Sequence, residues 1–508
     1  MTTPRTRDHV EIRSGAYADS VTLLQVSRTV QAAPGVVTAQ VAMATGLNLE
    51  VLTGMGFDVP ESSPNAMVVA LRLEDDAELP AALAVVDAAL VPTRPSTGSS
   101  EVAPPRTTSS ALRRSAVSGP PDAIVLVSVP GASATVEAMD ALEAGHDVMI
   151  FSDNVPVAEE VALKTYAAGQ GALVMGPDCG TAVIDGVGLG FANAVRPGRI
   201  GLVAASGTGC QQLLALLDHA GGLYNGVGVR WALGVGGRDL SSAVGGLATR
   251  EALHRLDADP DVDLIVVVSK PPAPEVEADL ASYAAGLATP IHLGLLGAGK
   301  MDLTAVAEGV LDRLGHAAPE WPVDGTDNTG AATGPFLRGL FVGGTLCDES
   351  MLMASLALGP IRSNIPLSDD LALPADELLA DTHTMVDFGD DALTQGRAHP
   401  MIDPTLRNEQ LTRAAADPAT GVILLDLVLG HGAEPDPAAL LAPAIAAARE
   451  SRPIPVIVSL VGTDLDPQGL SAQRAALVAA GAEVHLSNAS ATRRAIDLLS
   501  RSTKGAQA

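Results

Sequence analysis

Gly198-Arg199-Ile200-Gly201-Leu202-Val203-Ala204-Ala205-Ser206-Gly207-Thr208-Gly209-Cys210, followed by Gln211-Gln212-Leu213-Leu214-Ala215-Leu216-Leu217, decides how the chain is read. An uncharged apolar run breaks into four small residues. Leu213, Leu214 and Leu217 then recur at helical spacing, so the stretch predicts strand, tight turn and helix. At such a helix start the first backbone N–H groups lack intrahelical partners, and the macrodipole adds roughly half a positive charge. Ser206-Gly207-Thr208 is therefore a candidate cradle for a phosphate or carboxylate, with two hydroxyls as further donors. The alternative is an ordinary turn with an N-cap serine.

The chain has 508 residues, enough for about three domains. Hydrophobic residues make up 47% and aromatics 2%, so the cores must be built from Ala, Val, Leu and Ile, a composition suited to helices packed on parallel sheets. A net charge of −28 repels nucleic acid and anionic membranes. Small anionic substrates then need local donors. Cys179, Cys210 and Cys347 are too few and too scattered for a disulfide framework or a cysteine zinc site, and no metal is expected. The first residues lack an apolar targeting core, and no run approaches ~18 apolar residues. The expectation is a cytoplasmic protein without nucleic-acid or membrane partners.

Residues 1–92 alternate apolar runs with helical patterns and predict a small α/β domain; 93–121, rich in Pro, Ser, Thr and Arg, predicts a flexible linker. From Ala123 each apolar run ends in a cluster of small or polar residues before a helix begins. The clusters are Ser128-Val129-Pro130-Gly131, Ser152-Asp153-Asn154-Val155, Gly176-Pro177-Asp178-Cys179-Gly180-Thr181, the Ser206 loop, Gly236-Gly237-Arg238-Asp239 and Ser269-Lys270-Pro271-Pro272. Such alternation predicts parallel sheets with right-handed crossovers, and every cluster then falls at the carboxyl end of a strand, where open α/β sheets bind ligands. A second spacer is expected at 317–335, with a third α/β unit at 336–508.

The middle third resembles the α-subunit of succinyl-CoA synthetase and related acyl-CoA synthetases, on Gly176-Pro177-Asp178-Cys179, Ser206-Gly207-Thr208 and Gly236-Gly237 in order. Along essentially its whole length the chain is similar to the FdrA family, on those clusters together with Gly343-Gly344-Thr345-Leu346-Cys347 and Gly396-Arg397-Ala398-His399-Pro400-Met401-Ile402-Asp403-Pro404. The resemblance implies an α/β protein with a CoA-binding Rossmann-like domain (122–197) and flavodoxin-like succinyl-CoA synthetase-type ligase domains (198–316 and 336–508). It makes CoA a possible cofactor, with Ser128, Pro130, Gly131, Ser152 and Asn154 as its binding residues. It further implies a subunit of an oxamate carbamoyltransferase, acting with other protein subunits on oxalurate, phosphate, oxamate and carbamoyl phosphate in allantoin and purine catabolism. The synthetases relay a phosphoryl group through a histidine in a Gly-His-Ala-Gly stretch. Here that region reads His292-Leu293-Gly294-Leu295-Leu296-Gly297-Ala298-Gly299-Lys300, and there is no Walker-type loop.

Carbamoyl transfer needs donors around a phosphate and at a carbonyl oxygen. Ser206, Gly207 and Thr208, with Gly236 and Gly237, are the expected phosphate site. Arg238 suits a bidentate contact, or else a salt bridge to Asp239 or a nearby helix. Lys270 is placed at the same edge, or is a solvated loop lysine. Asp178 is a candidate base or amide-orienting group, or a cap of its own turn. Cys179 and Cys210 are expected to be packing residues, and His399 with Asp403 part of a structural or substrate-gating loop. Two further readings stay open: a CoA-binding acyl-CoA synthetase of the succinyl-CoA ligase type, and a non-catalytic scaffold binding CoA or an acyl phosphate.

Overall fold

A computed structural model describes residues 6–505 apart from 15, 17, 19, 61, 64–65, 75–77, 92–106, 119–122, 375–376 and 395–397. The chain forms two compact units, Met1–Pro104 with Thr394–Ala398, and Pro105–Leu393 with His399–Ala508. In the first unit three antiparallel strands stand in the order Thr6–Arg13, Met67–Glu74, Val36–Met43. The central strand reads Met-Val-Val-Ala-Leu and buries both faces, one against Leu23, Val26, Val30 and Val86, the other against Leu52 and Phe57. β-branched and aliphatic residues without alternation suit a strand covered on both sides.

The second unit holds three sheets. Ile124–Val127, Asp147–Ile150 and Val174–Met175 form a short parallel sheet. A six-stranded sheet runs Ile291–Leu295, Leu264–Ser269, Ile200–Ala205, Val229–Gly234, Thr181–Ile184, Val187–Gly190; its first four strands are parallel and the last two add as an antiparallel hairpin. A second six-stranded sheet runs Val323–Asp324, Glu483–His485, Val456–Val461, Thr420–Val428, Phe336–Phe341, Thr384–Asp387, parallel except for its first strand. One continuous core joins the two six-stranded sheets through the helices Gly207–Gly221, Leu303–Arg313, Gly344–Leu358 and Asn488–Gly505. Every residue of Ile200–Ala205 and of Thr420–Val428 is buried, as expected of strands covered by helices on both faces.

Three features depart from the sequence reading. Within the expected linker 93–121, Thr108–Ser118 is a helix that buries Leu112 and ties Ser109 Oγ to Asp140 Oδ2 at 2.7 Å; the flanking 92–106 and 119–122 lie outside the described residues. Within the expected spacer 317–335, Val323–Asp324 pairs with Glu483–His485, and Asn328 Nδ2 donates to Val478 O and Ala482 O, both at 2.9 Å. Hydrogen bonds to neighbouring elements hold these segments, so no apolar period announces them. The hairpin Thr181–Gly190, from the stretch assigned to the Rossmann-like domain, joins the sheet of the stretch that follows it. The six loop clusters accordingly lie on two sheets, which meet where Gly236 packs on the Gly176-Pro177 turn. With φ +89° there, a Cβ would also lie 2.6 Å from Pro177 O, and only glycine fits.

Candidate functional site

Ser206 ends a fully buried strand in extended backbone and caps the 15-residue helix Gly207–Gly221, its Oγ accepting from Gly209 N–H at 3.0 Å. The Ser206 hydroxyl also lies 2.7 Å from Thr345 Oγ1. Gly207 is exposed. A Cβ there would find no other group nearer than Thr181 Oγ1, at 4.0 Å. Thr181 is itself buried, and its hydroxyl has no hydrogen-bond partner among the described residues. A buried hydroxyl without a partner costs about 1–3 kcal/mol. Here it faces a helix start whose N–H groups want an anion.

A second helix start faces the first. Phe336–Phe341 leads through Val342 and Gly343 into the helix Gly344–Leu358, also 15 residues. Its opening Gly343-Gly344-Thr345-Leu346-Cys347-Asp348-Glu349 repeats the spacing of Ser206-Gly207-Thr208-Gly209-Cys210-Gln211-Gln212. The contacts are reciprocal: Ser206 meets Thr345, and a Cβ on Gly343 would lie 2.9 Å from Thr208 Oγ1. Gln212 Oε1 accepts from Asn488 N–H at 3.0 Å, while Glu349 Oε1 accepts from Leu303 N–H at 2.6 Å, so each helix anchors the start of another one. The turn before the second helix is held from behind by buried Asp426, which accepts from Val342 N–H and Gly343 N–H at 2.7 and 2.9 Å. Buried Arg407 donates to Asp426 O at 2.7 Å.

Charged groups gather on the second helix start. Lys270 Nζ lies 3.5 Å from Asp348 Oδ2. A Cβ on Gly344 would sit 3.1 Å from that Nζ and 2.5 Å from Asp387 Oδ2, which is why this position has no side chain. Burial disfavours the Lys270 charge, but Asp348, Asp387 and Asp178 outweigh it and hold its pKa above the ordinary lysine value. Asp387 Oδ1 accepts from Gly389 N–H at 2.9 Å; desolvation outweighs that bond and Lys270, and pushes the carboxyl up to about 7. His399 Nδ1 accepts from Met401 N–H at 3.2 Å, so its neutral ring carries the hydrogen on Nε2, the atom beside Gly389. Burial lowers this ring to about 4 and keeps it neutral.

Asp178 reaches water, and among the described residues its carboxylate accepts no hydrogen bond; it does not cap its own turn. The surrounding protein desolvates it, Asp391 and Asp153 add negative charge, and its pKa rises to about 7 against the pull of Lys270 and Arg238. Arg238 donates through Nε to Glu160 Oε2 at 3.1 Å and through Nη2 to Val155 O at 2.9 Å. Its partner is thus a helix glutamate, because Asp239 is taken by Lys164 at 2.8 Å and by Thr249. Gly237 faces open space. Ser128, Pro130 and Asn154 are exposed at the ends of the short parallel sheet; Ser152 is buried there, and Gly131 packs directly on the backbone of Asp153 and Asn154. Cys179, Cys210 and Cys347 are buried, and burial raises all three thiols, Cys179 to about 12. His292 accepts from Arg313 Nε at 3.2 Å and packs on Gly309, inside the sheet–helix layer. Asp403 caps Thr405, and Gly396 and Arg397 lie outside the described residues. The second helix start was legible only as a family hallmark; the repeated Gly-Thr-x-Cys was the signal that would have found it.

Residues 340–498 match the CoA-ligase family, and residues 3–105 match the AllF heavy metal-associated domain. The chain is 37% identical over 502 residues to the uncharacterized protein YahF of Escherichia coli K12, covering 93% of this chain and 95% of that one. It is 28% identical over 176 residues to the α-subunit of the ADP-forming succinate–CoA ligase of Methanothermobacter thermautotrophicus, 34% of this chain and 57% of the relative. Among solved structures, an acetyl-coenzyme A synthetase 1 of Ca. Korarchaeum cryptofilum, bound to phosphate and ADP, aligns over 76% of this chain and 86% of its own at 17% identity and a TM-score of 0.28. An ATP citrate lyase of Methanothrix soehngenii, with citrate and coenzyme A, aligns over 34% of this chain and 29% of its own at 17% identity and a TM-score of 0.30.

Proposed function

From a chain that belongs to the family of Escherichia coli YahF, we propose an acyl-CoA synthetase-like enzyme whose Gly207 helix start, faced by the Gly344 one, holds the phosphate of an acyl or carbamoyl phosphate. The observation that carries this reading is the buried hydroxyl of Thr181, unpartnered among the described residues, 4.0 Å from where a Cβ on Gly207 would stand. The N–H groups of Gly207 and Thr208 and the Thr208 hydroxyl supply the remaining donors, and Lys270 supplies positive charge at the facing helix start, against Gly344.

The finer reading is carbamoyl transfer between phosphate and oxamate. In the phosphorolytic direction a phosphate oxygen attacks the ureido carbonyl carbon of oxalurate. A C–O bond forms, the C–N bond to the oxamate nitrogen breaks, and that nitrogen takes a proton. Asp178, with a pKa of about 7 and no hydrogen bond to its carboxylate among the described residues, suits the donor; it recovers a proton from the attacking hydrogen phosphate. Helix N–H groups stabilise the charge that builds on the phosphate and carbonyl oxygens. Gly236 and Gly237 keep the neighbouring loop low, and Arg238, anchored to Glu160, adds positive potential near Asp178.

The similarity to a succinate–CoA ligase α-subunit favours a second reading, in which CoA binds at Ser128, Pro130, Gly131, Ser152 and Asn154 and accepts the acyl group. The interior position of His292 speaks against a phosphohistidine relay there. One experiment separates the two: the purified chain, alone and with its partner subunits, is supplied with oxalurate and phosphate, and in parallel with CoA and acetyl or succinyl phosphate. Carbamoyl phosphate formation supports the first reading. Acyl-CoA formation without carbamoyl phosphate refutes it in favour of the second.

A further inference from the structure

The two helix starts are equivalent in backbone but not in what fills them. Gly234 pairs with Ala204, two residues before Ser206; Asp387 pairs with Phe341, two residues before Gly343. Asp387 therefore occupies in the second half the position that Gly234 occupies in the first. At the first start the cradle is open: Gly207 is exposed, and the group nearest a Cβ there is the Thr181 hydroxyl, unpartnered among the described residues. At the second, the Asp387 carboxylate and the Lys270 ammonium lie against Gly344, within 2.5 and 3.1 Å of where a Cβ would stand. The helix caps differ in the same sense. Ser206 caps the first helix with its side chain, whereas Gly343 has none to offer the second. A carboxylate at a helix start is favoured by the macrodipole. Lys270 directly follows the strand Leu264–Ser269, which pairs with Ile200–Ala205, and thus reaches across from the first half to the second.

We propose that Asp387 makes this a one-anion site: the chain's own carboxylate fills the second of two equivalent cradles, so that a single phosphate-bearing ligand is taken, at the Gly207 side. The inference rests on the phosphate reading above and adds its stoichiometry and the residue that sets it. A ligand with one phosphate and an uncharged reacting end fits this site, whereas one presenting phosphates to both helix starts is excluded by the Asp387 charge. Lys270, shared between Asp387 and Asp348, is then held at the boundary between the filled cradle and the open one.

The test is equilibrium dialysis of the full chain against labelled inorganic phosphate at pH 8, for wild type, Asp387→Gly and Asp387→Asn. Wild type is expected to bind one phosphate per chain, and Asp387→Gly, which copies Gly234, two. Asp387→Asn keeps the acceptor for Gly389 N–H and the volume but loses the charge, so it is expected to bind one phosphate several-fold more tightly. One phosphate with unchanged affinity in both variants overturns the assignment of Asp387 while leaving the phosphate site standing. If Asp387→Gly does not fold, the affinity of Asp387→Asn decides. No phosphate bound by wild type refutes the phosphate reading itself.

Discussion

Replacing Thr181 by valine separates a structural role of the threonine from a ligand-binding one, because the two predict opposite signs. Valine keeps the volume and β-branching of threonine in the strand Thr181–Ile184 and removes only the hydroxyl. That hydroxyl is buried and unpartnered among the described residues, so without ligand its removal relieves a desolvation penalty of about 1–3 kcal/mol. With phosphate bound it donates to an anion, a bond contributing about 1.5–3 kcal/mol, which corresponds to roughly a tenfold to hundredfold loss of affinity. Thr181→Val should therefore melt at a higher temperature than wild type in the absence of ligand and bind phosphate at least tenfold more weakly. Differential scanning calorimetry and isothermal titration of the same preparations measure both. A variant that binds phosphate as wild type does, or that is destabilised when empty, shows that the hydroxyl serves something other than an anion at Gly207.

Three further outcomes are expected. The Asp178 carboxyl titrates at about 7, so the proton-donating form is lost as pH rises through that value. Turnover in the phosphorolytic direction should fall above it, and Asp178→Asn should lower turnover by roughly 10²–10⁴-fold and flatten that limb of the pH–rate profile. Buried Asp387 has its folded pKa raised from 3.8 to about 7, so the folded state holds its proton more tightly than the unfolded chain. Its contribution to stability is lost as pH climbs between those values. Melting temperatures of wild type and Asp387→Asn measured from pH 4.5 to 7.5 should diverge, with the asparagine variant lacking this decline. His292→Asn should leave turnover within twofold of wild type and no acid-labile phosphate should form on the chain with ATP, since His292 is packed on Gly309 and bonded to Arg313.

The parallel α/β architecture was legible because its strands are short aliphatic runs that stop at glycine, serine or proline: Ile200–Ala205 and Val456–Val461 are where the runs place them. Thr384–Asp387 and Glu483–His485 were not, for each is too short to show a period and is fixed by pairing with longer strands. The Ser206 loop could be read from local chemistry alone. Its confrontation with Gly343-Gly344-Thr345 could not, because 139 residues separate Ser206 from Thr345 and only the packing of two sheets through shared helices joins them. Arg238 illustrates the limit of neighbour-based reasoning. The adjacent Asp239 is turned inward to Lys164 and Thr249, leaving Arg238 to a glutamate 78 positions earlier. No helix among the described residues is long and apolar enough to cross a membrane.

The most direct measurement is a thermal-shift titration of the chain with carbamoyl phosphate, inorganic phosphate and CoA, repeated on the double variant Ser206→Ala/Thr208→Ala. At a ligand concentration a hundredfold above Kd, binding stabilises by about 2.7 kcal/mol, a readily seen shift. Protection by carbamoyl phosphate and phosphate that the double variant loses is the expected result. Protection by CoA alone, with neither phosphate ligand shifting the wild-type transition, would contradict a phosphate held at the Gly207 helix start.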